Sequence, residues 1–169
     1  MPRFDSKYST SRLALVAALA IGLLVPASSA FAYEFTHGEA NVKLDVPASW
    51  NVNVRQGHVI QFMEASGLSV ILEVATSREE MQALTRRSDQ SLERVFQNIQ
   101  MSDNRPFTQR GLQGTVRGGR ATLRSNNAPV DLLVVVIPRD GAVVLAIAFA
   151  PRGSMPRVTQ VLDTLRPAR

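Results

Sequence analysis

Two apolar segments close to the C-terminus decide the fold: residues 130–137 (VDLLVVVI) and residues 142–150 (AVVLAIAFA). Between them stands Pro138-Arg139-Asp140-Gly141, whose residue types are those of a tight turn, so the two segments predict a β-hairpin. Each segment is apolar at almost every position, which is typical of strands covered on both faces. We therefore expect this hairpin at the centre of a sheet.

Shorter segments predict the other strands, either by alternation of apolar and polar residues or by composition; they are residues 42–46, 59–64, 68–75 and 107–124. The second and third of these form a hairpin, with Gly67 in the turn where a positive φ is needed. The last contains four glycines and predicts two twisted strands around a tight turn. Pro47-Ala48-Ser49-Trp50 predicts a turn after the first strand.

Two segments have the spacing of amphipathic helices. Ser77 and Glu80 match a capping box, which predicts a helix that starts there and extends to Gln100. Its apolar face consists of Leu92, Val95, Phe96 and Ile99. A second helix is predicted before Pro167, and its apolar positions are Val158, Val161, Leu162 and Leu165.

The predicted order of elements is β-β-β-α-β-β-β-β-α. Short hairpin connections indicate a mainly antiparallel sheet, and the two helices must bury their apolar faces against it. One helix on each face would account for the doubly apolar central strands. The sequence therefore predicts an α+β fold in which an antiparallel sheet is flanked by two amphipathic helices, an α-β-α sandwich.

The first 32 residues have the pattern of a secretory signal peptide. Basic residues precede an uninterrupted apolar run, residues 13–25, which is shorter than the roughly 20 residues that span a bilayer. Ala30-Phe31-Ala32 then matches a signal-peptidase site, so we expect cleavage after Ala32. The alternative is an uncleaved N-terminal anchor. The sequence thus predicts a Sec-type signal over residues 1–32 and one domain over residues 33–169, which is periplasmic or secreted.

The sequence lacks the residues that several kinds of catalytic or metal site require. The 169-residue chain contains no cysteine, which excludes cysteine nucleophiles, cysteine-based zinc sites and a thioether-linked lipid anchor. His37 and His58 each stand beside a glycine, which predicts exposed loop positions. The chain has no G-x-S-x-G motif, and the glycine-rich residues 114–121 lack the Lys and Ser/Thr of a phosphate-binding loop. We predict no catalytic residue, no metal site and no cofactor.

The segment VKLDVPASW at residues 42–50 resembles the opening of the PsbP-like fold group, which includes DcrB-like exported bacterial proteins. The likeness continues through the predicted helix, Gly118-Gly119-Arg120, the apolar hairpin and Thr164-Leu165-Arg166-Pro167, and it covers residues 35–167. This resemblance implies an α-β-α sandwich and a binding or assembly role rather than catalysis. The matched positions are structural, so the resemblance assigns no functional residue.

Arginines supply the candidate binding residues. No acidic residue occurs between Asp103 and Asp131, whereas that stretch contains Arg110, Arg117, Arg120 and Arg124. If the adjacent strands place these side chains on one face, the face would attract an anionic lipid headgroup, an acidic cell-wall polymer or an acidic protein surface. The alternative is a solvated strand face that protects a sheet edge. Trp50 is either a tryptophan at the edge of the core or an exposed anchor for a partner.

These observations predict an exported, non-enzymatic binding or assembly module that acts on an envelope protein or an anionic envelope component, and not on nucleic acid. A carrier of a small ligand or lipid is an alternative, and it would need an internal apolar cavity. A small hydrolase is another, and it would need a cleft in which His37 or His58 meets a carboxylate and a serine.

Overall fold

The computed structural model describes residues 31–55, 59–139 and 141–169. Residues 1–30 of the predicted signal peptide, and also His58, lie outside the described residues. The strands are β1 (Phe31–His37), β2 (Val42–Pro47), β3 (Trp50–Arg55), β4 (Val59–Glu64), β5 (Ser69–Ala75), β6 (Phe96–Met101), β7 (Arg105–Gln109), β8 (Leu112–Leu123), β9 (Pro129–Arg139), β10 (Ala142–Pro151) and β11 (Arg166–Pro167). The helices are α1 (Arg78–Val95) and α2 (Met155–Leu162).

A large antiparallel sheet dominates the fold. Its strand order is β3-β4-β5-β10-β9-β8-β6, and β7 pairs with the first half of β8. β9 and β10 pair over ten residues and have neighbours on both sides, which confirms the predicted central hairpin. A second sheet has the order β1-β2-β11.

Each face of the large sheet carries a buried apolar cluster. On one face, β2 and α2 pack against residues such as Phe62, Leu72 and Val135. On the other face, Leu84 and Leu92 of α1 pack in a cluster with sheet residues that include Ile147. The predicted α+β sandwich with one helix on each face is therefore confirmed, and the small sheet adds to the layer that contains α2.

The start of α1 is as predicted, but its end is not. The Ser77 side chain accepts the Glu80 N–H, and the Glu80 side chain accepts the Ser77 N–H, which completes the capping box. The predicted extension to Gln100 is wrong, because the helix ends at Val95 and an extended strand begins at Phe96.

A β-bulge explains the misleading helical spacing. The pairing of β6 with β8 shifts register between Gln97 and Gln100, and Asn98 has a φ of 54°. The extra residue places Ile99, rather than residue 98, on the same side as Phe96, so a strand shows a three-residue apolar spacing. Val95, predicted to be a core residue, is instead 45% exposed.

Two strands near the N-terminus were not predicted. β1 begins at Phe31, two residues before the expected first residue of the mature chain. The predicted turn at residues 47–50 is shorter in the structure, because Trp50 already starts β3. The alternating Asn-Val-Asn-Val of residues 51–54 has the strand period, but asparagine has a low strand propensity.

Candidate functional site

The structure does not place the four candidate arginines on one face. Arg117 and Arg120 both belong to β8, where successive side chains alternate between faces. Arg117 lies on the α1 side, and its guanidinium is 3.8 Å from the carboxylate of Asp89. Arg120 is three residues further along and therefore lies on the opposite face, beside Asp131 of β9. The alternation of the strand splits the cluster.

Arg124 has a structural role at the end of α1. Its Nε donates to the carbonyl oxygens of Glu93, at 2.8 Å, and Phe96, at 3.0 Å. Its backbone N–H donates to the carbonyl of Val95. The last carbonyls of a helix have no partner within the helix, so Arg124 provides the donors that they need and carries a charge that suits the negative end of the dipole.

Arg110 and Arg120 are the two candidate arginines that remain available. Arg110 occupies the turn between β7 and β8 with a φ of 44° and is exposed. Arg120 is exposed beside a surface depression of about 280 Å³, which is also lined by Gln100, Ser102 and Gly118. Neither guanidinium forms an ion pair with another residue in the described ranges.

Trp50 is a core residue, so it is not an exposed anchor. Only 6% of its surface is accessible, and it belongs to the buried cluster on the α2 side of the sheet. It begins β3 and pairs with Glu64 of β4. Its side chain is therefore a core side chain at the start of β3, the first of the two interpretations, and not an exposed anchor.

His37 is buried, which overturns its expected exposed loop position. It is 7% accessible at the end of β1, and its Nδ1 accepts the Ala40 N–H at 3.4 Å. The neighbouring glycine does begin a turn, as predicted, but the side chain points into the fold because Phe35, on the same side of β1, packs against the core. The contact with Ala40 lies within the turn that follows β1.

The outer side of β3, which we name the β3 edge (Trp50–Arg55), is the feature that the sequence did not reveal. No other described strand pairs with this side, because β3 ends the strand order. Val52 is 39% exposed and Val54 is 67% exposed. Both lie on the same face as Trp50, opposite the buried residues Phe62 and Ile60 of β4. The apolar surface of the core thus continues onto an open strand.

The opposite margin of the large sheet carries features that discourage further pairing. β6 contains the bulge described above, and β7 begins with Arg105-Pro106, of which the proline has no N–H to donate. β3 instead pairs with β4 without a register shift over six residues and contains neither proline nor lysine. Charge, proline and bulges are the usual protections of an edge strand, and β3 contains only one charged residue, Arg55.

Ion pairs stabilise the outer face of the small sheet. Arg166 of β11 donates to both carboxylate oxygens of Asp45, at 2.8 and 3.1 Å, and to Glu34 at 2.6 Å. Lys43 is 3.1 Å from the same Glu34 carboxylate. The hydrogen bond from Lys43 and the nearby Arg166 charge lower the pKa of Glu34 despite some desolvation. This network joins three strands and leads into a polar surface groove of about 410 Å³, which includes Thr36.

One carboxylate lies in a partly buried position under α1. Burial raises the pKa of Glu73 on β5, and the nearby Arg87 guanidinium, 3.4 Å away, offsets part of that rise. Within the described ranges, no three His, Asp or Glu residues are grouped closely enough to hold a metal ion.

No protein-family model matches the chain, and no curated protein matches it. Solved structures do. The chain is similar to the cyanobacterial PsbP of Synechocystis sp. PCC 6803, with 12% identity and a TM-score of 0.55 over 79% of this chain and 90% of the other. It is also similar to the Ran-binding protein Mog1p of Saccharomyces cerevisiae, with 9% identity and a TM-score of 0.51 over 80% and 95% of the two chains.

A third similar structure is a protein from Bacteroides thetaiotaomicron, with 9% identity and a TM-score of 0.55 over 80% of this chain. The match spans about half the length of that protein, 48%. These likenesses show the PsbP-like fold that residues 42–50 suggested, and at such identities they concern the fold alone. None of the helices in the described part of the chain is long and apolar enough to cross a membrane.

Proposed function

We propose that residues 33–169 form an exported, non-enzymatic binding and assembly module, and that it binds protein through the β3 edge. The observation that carries this proposal is the exposure of Val54 and Val52 on a regular strand whose outer side pairs with no described strand. An exposed apolar strand edge is costly for a monomer, because it invites pairing with other chains. Its presence on an otherwise well-packed sheet is best explained by a role in binding.

Strand addition is the recognition mode that this surface suits. An incoming extended segment would satisfy the outward backbone groups of β3, and its alternate side chains would cover Val52 and Val54. Complete burial of a valine that is exposed in the free protein stabilises a complex by about 1.5–3 kcal/mol. Val54 is exposed over two-thirds of its surface and would contribute more than Val52.

The fold comparisons support a binding role. Mog1p has the same fold and is described as a Ran-binding protein, which shows that a domain of this architecture can serve as a binding module. Fold likeness does not determine function, so the proposal depends on the β3 edge itself.

Photocrosslinking in intact cells tests the proposed surface. A photoreactive amino acid replaces Val54 in the full chain, and a matched chain has it at Thr108, an exposed residue of β7 at the other side of the sheet. We expect a crosslinked adduct from position 54 and none from position 108. Equal crosslinking at the two positions, or none at either, would contradict a binding role for the β3 edge.

The same cells also provide a test of export. We expect the protein recovered from the envelope or the medium to begin at Tyr33, as determined by intact mass and N-terminal peptide mass spectrometry. A cytoplasmic protein that retains residues 1–32 would contradict the exported part of the proposal.

An anionic envelope component is a second candidate partner, and the position of Arg120 favours it. Arg120 is exposed beside the surface depression that Ser102 also lines, and it has no ion pair with a described residue. If this site binds anionic headgroups, Arg120→Glu will reduce cosedimentation with vesicles that contain anionic lipid, whereas Arg94→Glu on α1 will not. Equal binding by the two variants would exclude a specific role for Arg120.

A further inference from the structure

We infer that the occupant of the β3 edge is the β3 edge of a second copy of this chain, paired antiparallel about a two-fold axis at Asn53. This inference rests on the proposed use of that edge for binding. It follows from the order of residues in β3, which is self-complementary about Asn53. An isologous two-fold interface requires this property, because each copy presents the same surface to the other.

The first consequence of the register concerns the apolar face. Pairing about Asn53 places Val52 of each copy opposite Val54 of the other copy, so the axis produces two valine pairs. Directly opposed residues in antiparallel strands point to the same face, so the four valines form one continuous apolar strip. The strip joins the buried rows that contain Phe62 and Ile60 in each copy, since those residues pair with Val52 and Val54 within the protomer.

The second consequence concerns the polar face. Asn53 lies opposite its own copy, where two amides can form hydrogen bonds with each other, and Asn51 lies opposite residue 55. Arg55 is the one charged residue of β3, and this register separates its two copies by four residues, about 13 Å along the strands. Apolar residues therefore meet apolar residues, and the two copies of residue 55 are not opposite each other.

The size of the contact sets the expected strength. A stable interface buries about 800 Å² on each partner, whereas pairing of two short strands buries less. The dimer should therefore be reversible and concentration-dependent, with dissociation to monomers on dilution. Continuous pairing would join the two large sheets edge to edge and would leave neither β3 edge open.

The absence of cysteine from the chain allows a direct test of the register. In the Asn53→Cys variant, the two Cα atoms face each other across the axis at about 4.5–5.5 Å, within the range of a disulfide. In the matched Asn51→Cys variant, which alters the same exposed face of the same strand, they lie about 13 Å apart. We expect rapid, near-complete disulfide-linked dimer for the first and little for the second under mild oxidation.

Sedimentation equilibrium of the unsubstituted mature protein provides the independent measurement. We expect the average mass to rise from that of a monomer to that of a dimer as the concentration increases. Val54→Glu should raise the dissociation constant of the dimer at least tenfold. Val95→Glu, which alters another exposed valine far from β3 in sequence, should leave the equilibrium unchanged. A circular dichroism spectrum and an unfolding midpoint confirm that each variant is folded.

Three results would overturn the inference. They are a monomer at every concentration, an Asn51→Cys dimer that forms as fast as the Asn53→Cys dimer, or a dimer that Val54→Glu does not weaken. None of these results alone refutes the proposed function, because a different protein that crosslinks at position 54 would still identify the β3 edge as a binding site. Loss of both the dimer and the position-54 adduct would refute the two proposals together.

Discussion

Gly114 provides a quantitative test of how closely the central strands approach. A Cβ added at this position would lie 2.0 Å from the carbonyl oxygen of Val136 and 3.1 Å from the Cα of Ile137. Ordinary contacts of this kind begin at about 3.4 Å. The obstructing atoms belong to the backbone of β9, so no side-chain rotation can relieve the overlap in a Gly114→Ala variant.

The expected cost follows from what has to move. β8 must shift by more than 1 Å relative to the central strand β9, which weakens the ladder between them, and each backbone hydrogen bond contributes about 1 kcal/mol. Overpacking in a core costs about 1–3 kcal/mol. Together these terms place the loss of unfolding free energy for Gly114→Ala at about 3 kcal/mol.

Gly118 is the matched control. It lies on the same strand, four residues further on, and its nearest neighbour for an added Cβ is the carbonyl oxygen of Leu132 at 3.9 Å, an ordinary contact. Replacement of a glycine by alanine where the conformation allows it stabilises a protein by about 0.4–1 kcal/mol through the unfolded state. We therefore expect Gly118→Ala to change stability by less than about 1 kcal/mol.

Urea unfolding monitored by circular dichroism measures the difference between the two variants. With an m-value near 2 kcal/mol/M, a loss of about 3 kcal/mol lowers the midpoint by about 1.5 M. The urea midpoint of Gly118→Ala should lie within about 0.5 M of that of the unsubstituted protein. If the two variants have the same midpoint, the close approach of β8 and β9, and the register it defines, is incorrect.

Three further predictions concern charged residues. Arg166→Ala removes the link between the three strands of the small sheet, and it should lower the unfolding free energy by about 1–2 kcal/mol, less at high salt; no salt dependence would contradict this. Glu73→Gln should stabilise the protein at neutral pH. Because burial raises the folded-state pKa of Glu73, the folded protein binds this proton more tightly than the unfolded chain, so stability falls as pH rises through that raised pKa. The glutamine variant should lose this decline, and an unchanged pH profile between pH 4 and pH 8 would refute the buried position. Arg124→Ala leaves the last carbonyls of α1 without a donor, and it should cost about 1 kcal/mol and increase amide exchange at residues 93–96; unchanged exchange there would exclude a capping role.

Local chemistry accounts for the parts of the fold that were predicted correctly. The capping box at Ser77 begins α1, Gly67 has the positive φ of a hairpin turn, and the two apolar segments form the central pair of strands. Each of these features depends on neighbours within a few residues along the chain. A single sequence contains all the information that such features need.

The errors have a common origin in pairing between distant segments. The three-residue spacing of Phe96 and Ile99 indicated a helix, and only the pairing of β6 with β8 shows that a bulge produces it. Arg117 and Arg120 are close in sequence, but the alternation of a paired strand places them on opposite faces. Trp50 is buried because it joins a core cluster whose other residues come from distant parts of the chain.

By itself, the sequence determined the secondary-structure periods, the central hairpin, the PsbP-like α+β sandwich and the absence of cysteine chemistry. Tertiary structure alone decided which strand has an open edge, because an edge is defined by the absence of a neighbour across the sheet. The valines of β3 look like core residues in the sequence, since Val52 and Val54 alternate as those of a buried strand do. They form an exposed apolar edge only because β4 pairs on one side of β3 and no described strand pairs on the other.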